Sequence, residues 1–470
     1  MKKKIIIIGA GISGLSAGCY GQMNGYETEI FEMQNTPGGL CTSWNRNGYL
    51  IDGCIDWLIG LNPDDFIYDF WKELGVFDNT EFIHHDYMMQ VEGMGKHLVL
   101  YSDADKLQKH LLELSPDDSS LIKEFTEAIK DSAFFSKTTK PIFNKKFACM
   151  TMYDFINQFK DPFLREALGV CLLPLDSREY CVGGLIFRLS FYNRKDAGWP
   201  VGGSLEFAKK IENKYKVLGG KVNYRAEVSE IIVNENKAVG VKLKDGSEHY
   251  ADCVISAIDT HRVLFDLLKG KYVNNEIKNL YNNEKALHTS MQVSVGINCD
   301  LSCEPHSLAI KLEDPITIGD TVNEYLYLKH FCFDKIISNK SKSVITSIIK
   351  TDYEYWSKLY KKPCEYKAEK ERICREFIIV IEKRFPEIKG KIEVTDVVTP
   401  VTYNRYAGVW RGSYLGWSGS GIKAIDLSVV HELKNFYMAG QWIKPSGGVS
   451  AAMMAGRECI SKMCMQINGA

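Results

Sequence analysis

The sequence predicts an α/β fold in which a parallel-sheet domain is interrupted by an inserted mixed α+β domain. Three observations lead there. The apolar run Ile5–Ile6–Ile7–Ile8 drops into Gly9–Ala10–Gly11–Ile12–Ser13–Gly14, and a second apolar stretch ends on an acid, Glu32. A second glycine-rich turn, Pro445–Ser446–Gly447–Gly448–Val449–Ser450, follows an apolar run near the C-terminus. Between them, long segments switch from a helical period to a strand period and back.

The first pattern is strand, glycine turn, helix, second strand, carboxylate, which is the FAD/NAD(P)-binding Rossmann-like arrangement. Gly9 allows the tight turn, Gly11 lets the backbone approach a pyrophosphate, and Gly14 lets helix pack on strand. The helix that begins at Ile12 and Ser13 offers free N–H groups and a partial positive charge to phosphates. Glu32, with Met33 beside it, would accept hydrogen bonds from a ribose 2′-hydroxyl and disfavours a 2′-phosphate.

Length and composition narrow the classes. With 470 residues the chain suits two intertwined domains, and 45% hydrophobic with 25% charged residues is ordinary globular composition. A net charge of −1 and the absence of a polybasic run give no reason to expect nucleic acid or tight binding to anionic lipid. Met1–Lys4 resembles the start of a signal peptide, but Gly9 and Gly11 interrupt the apolar run, so it reads as a buried strand. No segment reads as a transmembrane helix. The fourteen cysteines are scattered singly, which suits reduced core thiols in a cytoplasm. Cys299 and Cys303 form a close pair without zinc-site companions, and His84–His85–Asp86 would point to alternate faces of a strand. No metal site is expected.

The cofactor domain is expected in three pieces, residues 1–62, 202–285 and 420–470, and the substrate domain in two, 63–201 and 286–419. The second cofactor piece opens with the helix Leu205–Lys216, then strands Val222–Tyr224, Val228–Val233, Val239–Leu243 and Val254–Ile255. The first insert is helical: Ser102–Asp103–Ala104–Asp105 resembles a capping box before Lys106–Leu114, and Ser115–Pro116–Asp117–Asp118 starts Ser119–Lys130. In the second insert, Met291, Val293, Val295 and Ile297 alternate with polar or small residues, a period of two. Tyr366–Arg384 carries Ile373, Phe377, Val380 and Ile381 on one face and reads as a helix packed on that sheet.

The C-terminal segment favours a flavin over NAD. In a large flavoprotein it would place Gly440 near the pyrophosphate, Gln441 near the ribityl chain, and Gly448 with the Val449 and Ser450 N–H groups near the flavin O2. Gly38–Gly39–Leu40–Cys41–Thr42 would bring backbone close to the ribityl phosphate. Trp57, Trp199, Trp410, Trp417 and Trp442 would wall an apolar cavity or, equally, pack the core. Arg411–Gly412–Ser413 would bind a polar substrate terminus. No GxSxG, P-loop or HExxH is present, which leaves nucleophilic and zinc hydrolysis without support.

Taken together, these motifs resemble the phytoene desaturase-related flavin oxidoreductases, the branch of the amine oxidase-like FAD fold that includes carotenoid desaturases, carotenoid isomerases and retinol saturases. The resemblance runs through Gly9–Gly14 with Glu32, Pro37–Gly38–Gly39, Tyr49–Leu58, Trp199–Leu205, Ala251–Ala257 and Ala439–Trp442. It implies that Val228 and Ala257 line the adenine end. Two positions depart from the family pattern: Leu40 stands where a basic side chain is frequent, and Asp56 where histidine is usual. The resemblance implies FAD-dependent hydride transfer at flavin N5 with a hydrophobic, polyunsaturated isoprenoid or fatty-acyl substrate. Desaturation, saturation and isomerisation need the same parts, and the electron acceptor or donor stays open. Asp56 is the candidate for the accompanying proton. Transient contact with a membrane surface would suit such a substrate. A flavin amine oxidase and a non-catalytic prenyl-binding carrier are the alternatives.

Overall fold

The computed structural model describes residues 2–172, 181–282, 289–338, 341–417, 426–430, 432–443 and 447–468. Its first layer is a five-stranded parallel sheet in the order Lys221–Asn223, Glu27–Phe31, Lys4–Ile8, Cys253–Ser256, Phe436–Met438. The central strand, Lys4–Ile8, is covered on both faces, which is why it reads as an unbroken apolar run rather than an alternating one. Ile5 and Ile7 pack with Leu15, Tyr215 and Met453, contributed by helices Ile12–Met23, Gly203–Val217 and Val449–Asn468. Ile6 and Ile8 pack to the other side, against Val228, Ile231 and Val241 of a small antiparallel sheet, Val228–Asn234, Lys237–Leu243 and Glu248–Tyr250.

The second layer is a seven-stranded sheet in the order Ile392–Val398, Ser290–Ile297, Ser343–Lys350, Thr321–His330, Ser307–Ile318, Tyr87–Gly93, Lys96–Tyr101. Helix Pro363–Arg384 lays Ile373, Phe377 and Ile381 on it, as the helical stripe implied. It starts three residues before the expected Tyr366 because Pro363 suits the first helical turn, where its missing N–H is no loss. Strand Ser290–Ile297 carries the expected period of two. It forms over the alternating segment, and all eight of its residues are buried. The polar face meets protein: Gln292 Nε2 donates to the Asp52 carbonyl at 3.0 Å, and the Ser294 hydroxyl bonds that of Thr346.

Helices Ala104–Leu114, Ser119–Asp131, Pro162–Val170 and Val182–Asn193 form a separate apolar cluster with strands Tyr87–Gly93 and Lys96–Tyr101. The first of them is capped by Asp103 alone, whose side chain accepts from Lys106 N; the Ser102 hydroxyl donates to the His85 carbonyl instead of completing a capping box. The chain thus visits the parallel sheet three times, leaving it for the helical cluster and then for the larger sheet. The expected boundaries at 285–286 and 419–420 lie outside the described residues. Among the described residues, no helix is long and apolar enough to cross a membrane.

Candidate active site

Both glycine turns open on one cavity of about 480 Å³ at the C-terminal ends of the parallel strands, where ligands of open α/β sheets sit. Gly9 leaves Lys4–Ile8 at φ +96°. A Cβ on Gly14 would lie 2.0 Å from the Gly9 carbonyl oxygen, so helix and turn meet backbone to backbone. Gly11 is different: the nearest atom to a Cβ there would be the Gly38 oxygen at 3.9 Å, and the remaining space belongs to the cavity. Gly11 also caps helix Ile12–Met23 with no side-chain bond, leaving the first N–H groups without a side-chain partner. The Ser13 hydroxyl at this edge is buried and has no hydrogen-bond partner among the described residues.

Glu32 accepts from Ala10 N at 2.7 Å and from Gln34 N at 2.8 Å, which fixes its carboxylate at the cavity wall. Burial pushes its carboxyl up from the usual range, against the pull of those N–H groups. Gly38 N donates to the Ala10 carbonyl at 2.8 Å and holds the Gly38–Gly39 loop beside the first turn. Met33, Leu40, Val228 and Ala257 complete this part of the lining. From the C-terminal turn come Gly440, Gln441, Gly448 and Val449. Pro445 and Ser446 lie outside the described residues.

Three expected cofactor residues stand behind the lining instead of in it. Gly14 is spent on packing, Thr42 is buried with its carbonyl accepting from Gly53 N, and the Ser450 hydroxyl faces the Ile59 carbonyl at 3.5 Å. Two tryptophans are corrected outright. Trp199 is fully buried, its Nε1 donating to Asp334 at 2.8 Å, and Trp410 stacks on His261 with Tyr281 at its edge. Both pack the core; Trp57 and Trp442 do line the cavity. Arg411 pairs with Glu354, off the lining.

A second group of lining residues comes from the larger sheet and the helical cluster. Asp56 Oδ1 accepts from Lys329 Nζ and from the Tyr327 hydroxyl, both at 3.0 Å, and Oδ2 accepts from Arg188 Nη2 at 2.7 Å. Burial opposes the charge, but the Lys329 and Arg188 cations win and hold the Asp56 carboxyl far below the ordinary carboxylate range. This corrects the expectation for Asp56: a carboxylate fixed between two cations is a poor carrier of a proton at neutral pH. What it does in the structure is hold Lys329 Nζ and Arg188 Nη2 together. Lys329 also lies 4.7 Å over the Trp199 ring, and Arg188 5.1 Å over Trp57.

Sequence reasoning missed Arg188, Tyr327 and Lys329. Signals for them existed: Arg188 is the one charge in helix Val182–Asn193, and Lys329 follows Tyr325 and Tyr327 at strand spacing.

The donor set fits a dinucleotide. An open Cβ position at Gly11, uncapped helix N–H groups, an orphan Ser13 hydroxyl and the Glu32 carboxylate match a pyrophosphate and a ribose. A sequence model described as flavin-containing amine oxidoreductase matches residues 12–459. The chain belongs to that family. Its cofactor is FAD, and the protein is an oxidoreductase. Within the family the similarity is to the carotenoid desaturase-related branch, as the sequence motifs implied. A chloroplastic prolycopene isomerase of Arabidopsis thaliana is 22% identical over 508 aligned residues, covering 98% of this chain and 82% of that protein. A lycopene-forming phytoene desaturase of Paracoccus sp. is 24% identical over 290 residues, covering 57% of this chain and 56% of that protein. The crystal structure of an oxidoreductase from Methanosarcina mazei shares the fold, with a TM-score of 0.65, 16% identity and coverage of 97% of this chain and 100% of that one. Among the described residues, no group of three or more His, Cys, Asp or Glu side chains is placed to hold a metal ion.

Proposed function

We propose that this flavoprotein acts on carbon–carbon bonds of a hydrophobic, polyunsaturated substrate of isoprenoid or fatty-acyl type, as a desaturase, saturase or isomerase. The observation that carries the reading is the state of the carboxylates beyond the glycine turns. A protonated amine is best held by an unspent anion. Here Asp56 is already saturated by Lys329, Arg188 and Tyr327, and Asp52 by Ser43, Cys54 and Ser204. The surrounding wall is apolar or aromatic: Trp57, Leu172, Phe331, Ile348 and Trp442. Such a wall orients a polyene by burial alone and keeps water from the reacting carbons.

Bound FAD supplies two-electron chemistry by hydride exchange at N5. Gly11, Ser13 and the first N–H groups of helix Ile12–Met23 would hold the pyrophosphate, Glu32 the adenosine ribose, and Gly440, Gly448 and Val449 the flavin half. Lys329, kept in place by Asp56, presents a fixed positive charge to the cavity. Purified protein should be yellow. Under anaerobic conditions, a conjugated or conjugable polyene such as lycopene or retinol should bleach the flavin band, restore it after chemical reduction, or be isomerised by the reduced protein, while putrescine and benzylamine leave the band unchanged. Bleaching by the amines, with no response to any polyene, would overturn the proposal.

A further inference from the structure

The ion cluster around Asp56 is one charge out of balance, and the spare charge has unused donors. Lys329 and Arg188 face a single carboxylate. Lys329 Nζ directs its three protons to Asp56 Oδ1 at 3.0 Å, the Asp56 carbonyl at 3.1 Å and the Ile55 carbonyl at 3.5 Å. The Tyr327 hydroxyl donates to Asp56 and accepts from Ser307 Oγ at 3.0 Å, so it too is satisfied. Arg188 is the exception. Among the described residues, one of its five N–H donors, on Nη2, reaches Asp56; Nε is sealed in without an acceptor, and the remaining Nη donors are left for the cavity. Its guanidinium lies over Trp57, and both residues line the cavity. A largely buried cation with idle donors beside apolar side chains is costly unless something supplies an acceptor.

We infer that the substrate brings that acceptor: it is a polyunsaturated acid whose carboxylate docks on Arg188 while its chain lies against Trp57, Leu172 and Phe331. One spare positive charge matches one carboxylate, and the guanidinium fork suits its two oxygens. A diphosphate head would need more cations than this cluster leaves over. The inference rests on the lipophilic reading of the cavity proposed above and narrows it from a hydrocarbon to an acid.

The test compares cis-parinaric acid with its methyl ester on the FAD-loaded full-length protein, read by polyene fluorescence. The two probes share one polyene chain and differ in the head group, a carboxylate against a neutral methyl ester. The acid should bind at least about tenfold more tightly than the ester, the factor that one charge-assisted hydrogen bond readily supplies. Arg188→Met should bring the ratio to about one by weakening the acid alone, and Arg188→Lys should keep part of the preference. Equal binding of acid and ester by the wild-type protein would overturn the inference and leave the lipophilic reading standing. So would an acid preference that survives Arg188→Met. Binding of neither probe would overturn both. Should Arg188→Met fail to fold, the wild-type ratio and its reduction in Arg188→Lys decide the matter.

Discussion

Around Gly9–Gly14 the cavity wall is backbone: a glycine turn, the start of a helix, and one carboxylate pinned by two main-chain N–H groups. Around Asp56 the wall is side chain: an acid, two cations and a tyrosine drawn from three distant segments. The first region binds by what it leaves out, because room and free N–H groups appear only where side chains are missing. The second works by what it brings together, and each of its charges is tolerable only in the presence of the others. The two should therefore fail in different ways when single residues are changed.

The largest effect is expected at Gly14. A methyl group there meets the Gly9 carbonyl oxygen at 2.0 Å, and neither backbone segment can yield without breaking the strand–turn–helix packing. Gly14→Ala should cost about 4 kcal/mol or more and give little folded protein. Gly11→Ala has room in the protein and an ordinary φ of −67°. It should leave the unfolding midpoint of the FAD-free protein nearly unchanged and lower flavin content. Equal loss of fold in both variants would erase the distinction between packing glycine and cradle glycine.

Next comes the ionic wall. Asp56→Asn removes the anion and leaves Lys329 and Arg188 facing each other across an amide. Breaking a buried pair costs about 3–5 kcal/mol. The Asp56 side chain is 40% accessible through the cavity, which favours the lower end, about 3 kcal/mol. Denaturant unfolding measures this directly. A proton-carrying Asp56 would instead leave stability intact and remove an ionisation from the pH–rate profile.

This contrast also explains what could be read from the sequence. The glycine turn, Glu32 and the Gly38–Gly39 loop are local patterns whose physics is contained in a few consecutive residues, and they line one cavity. The stripe on Pro363–Arg384 was legible for the same reason. Asp56 was visible as a departure from a family pattern, but its chemistry was not. That depends on Lys329, 273 positions away, and on Arg188, 132 positions away. Trp199 and Trp410 misled because a tryptophan near a motif looks the same in sequence whether it lines a cavity or packs beneath one. Only the Asp334 acceptor and the His261 stack decide it.

The smallest of these effects reports on the edge of the same ionic wall. His85 and His306 stack with ring centroids 3.9 Å apart, against Phe333 and within the field of Lys329. Burial, then the Lys329 charge, pushes His85 down to about 4 from 6.5, and His306 moves the same way. His330 and His84 add to the push, and Asp56 opposes it. Between those two values the unfolded chain binds a proton at His85 that the folded protein refuses, so stability is full near neutrality and falls as pH drops through that window. Asp56 contributes nothing there, since a depressed carboxyl loses its stabilisation only at more acidic pH. The loss from His85 between pH 7 and pH 5 should be about 2 kcal/mol. His85→Phe keeps a ring against Phe333 and should flatten the slope by that amount, leaving the part due to His306. Identical pH slopes in the two proteins would show that His85 is not held neutral, and that the positive field of this wall does not reach beyond Lys329.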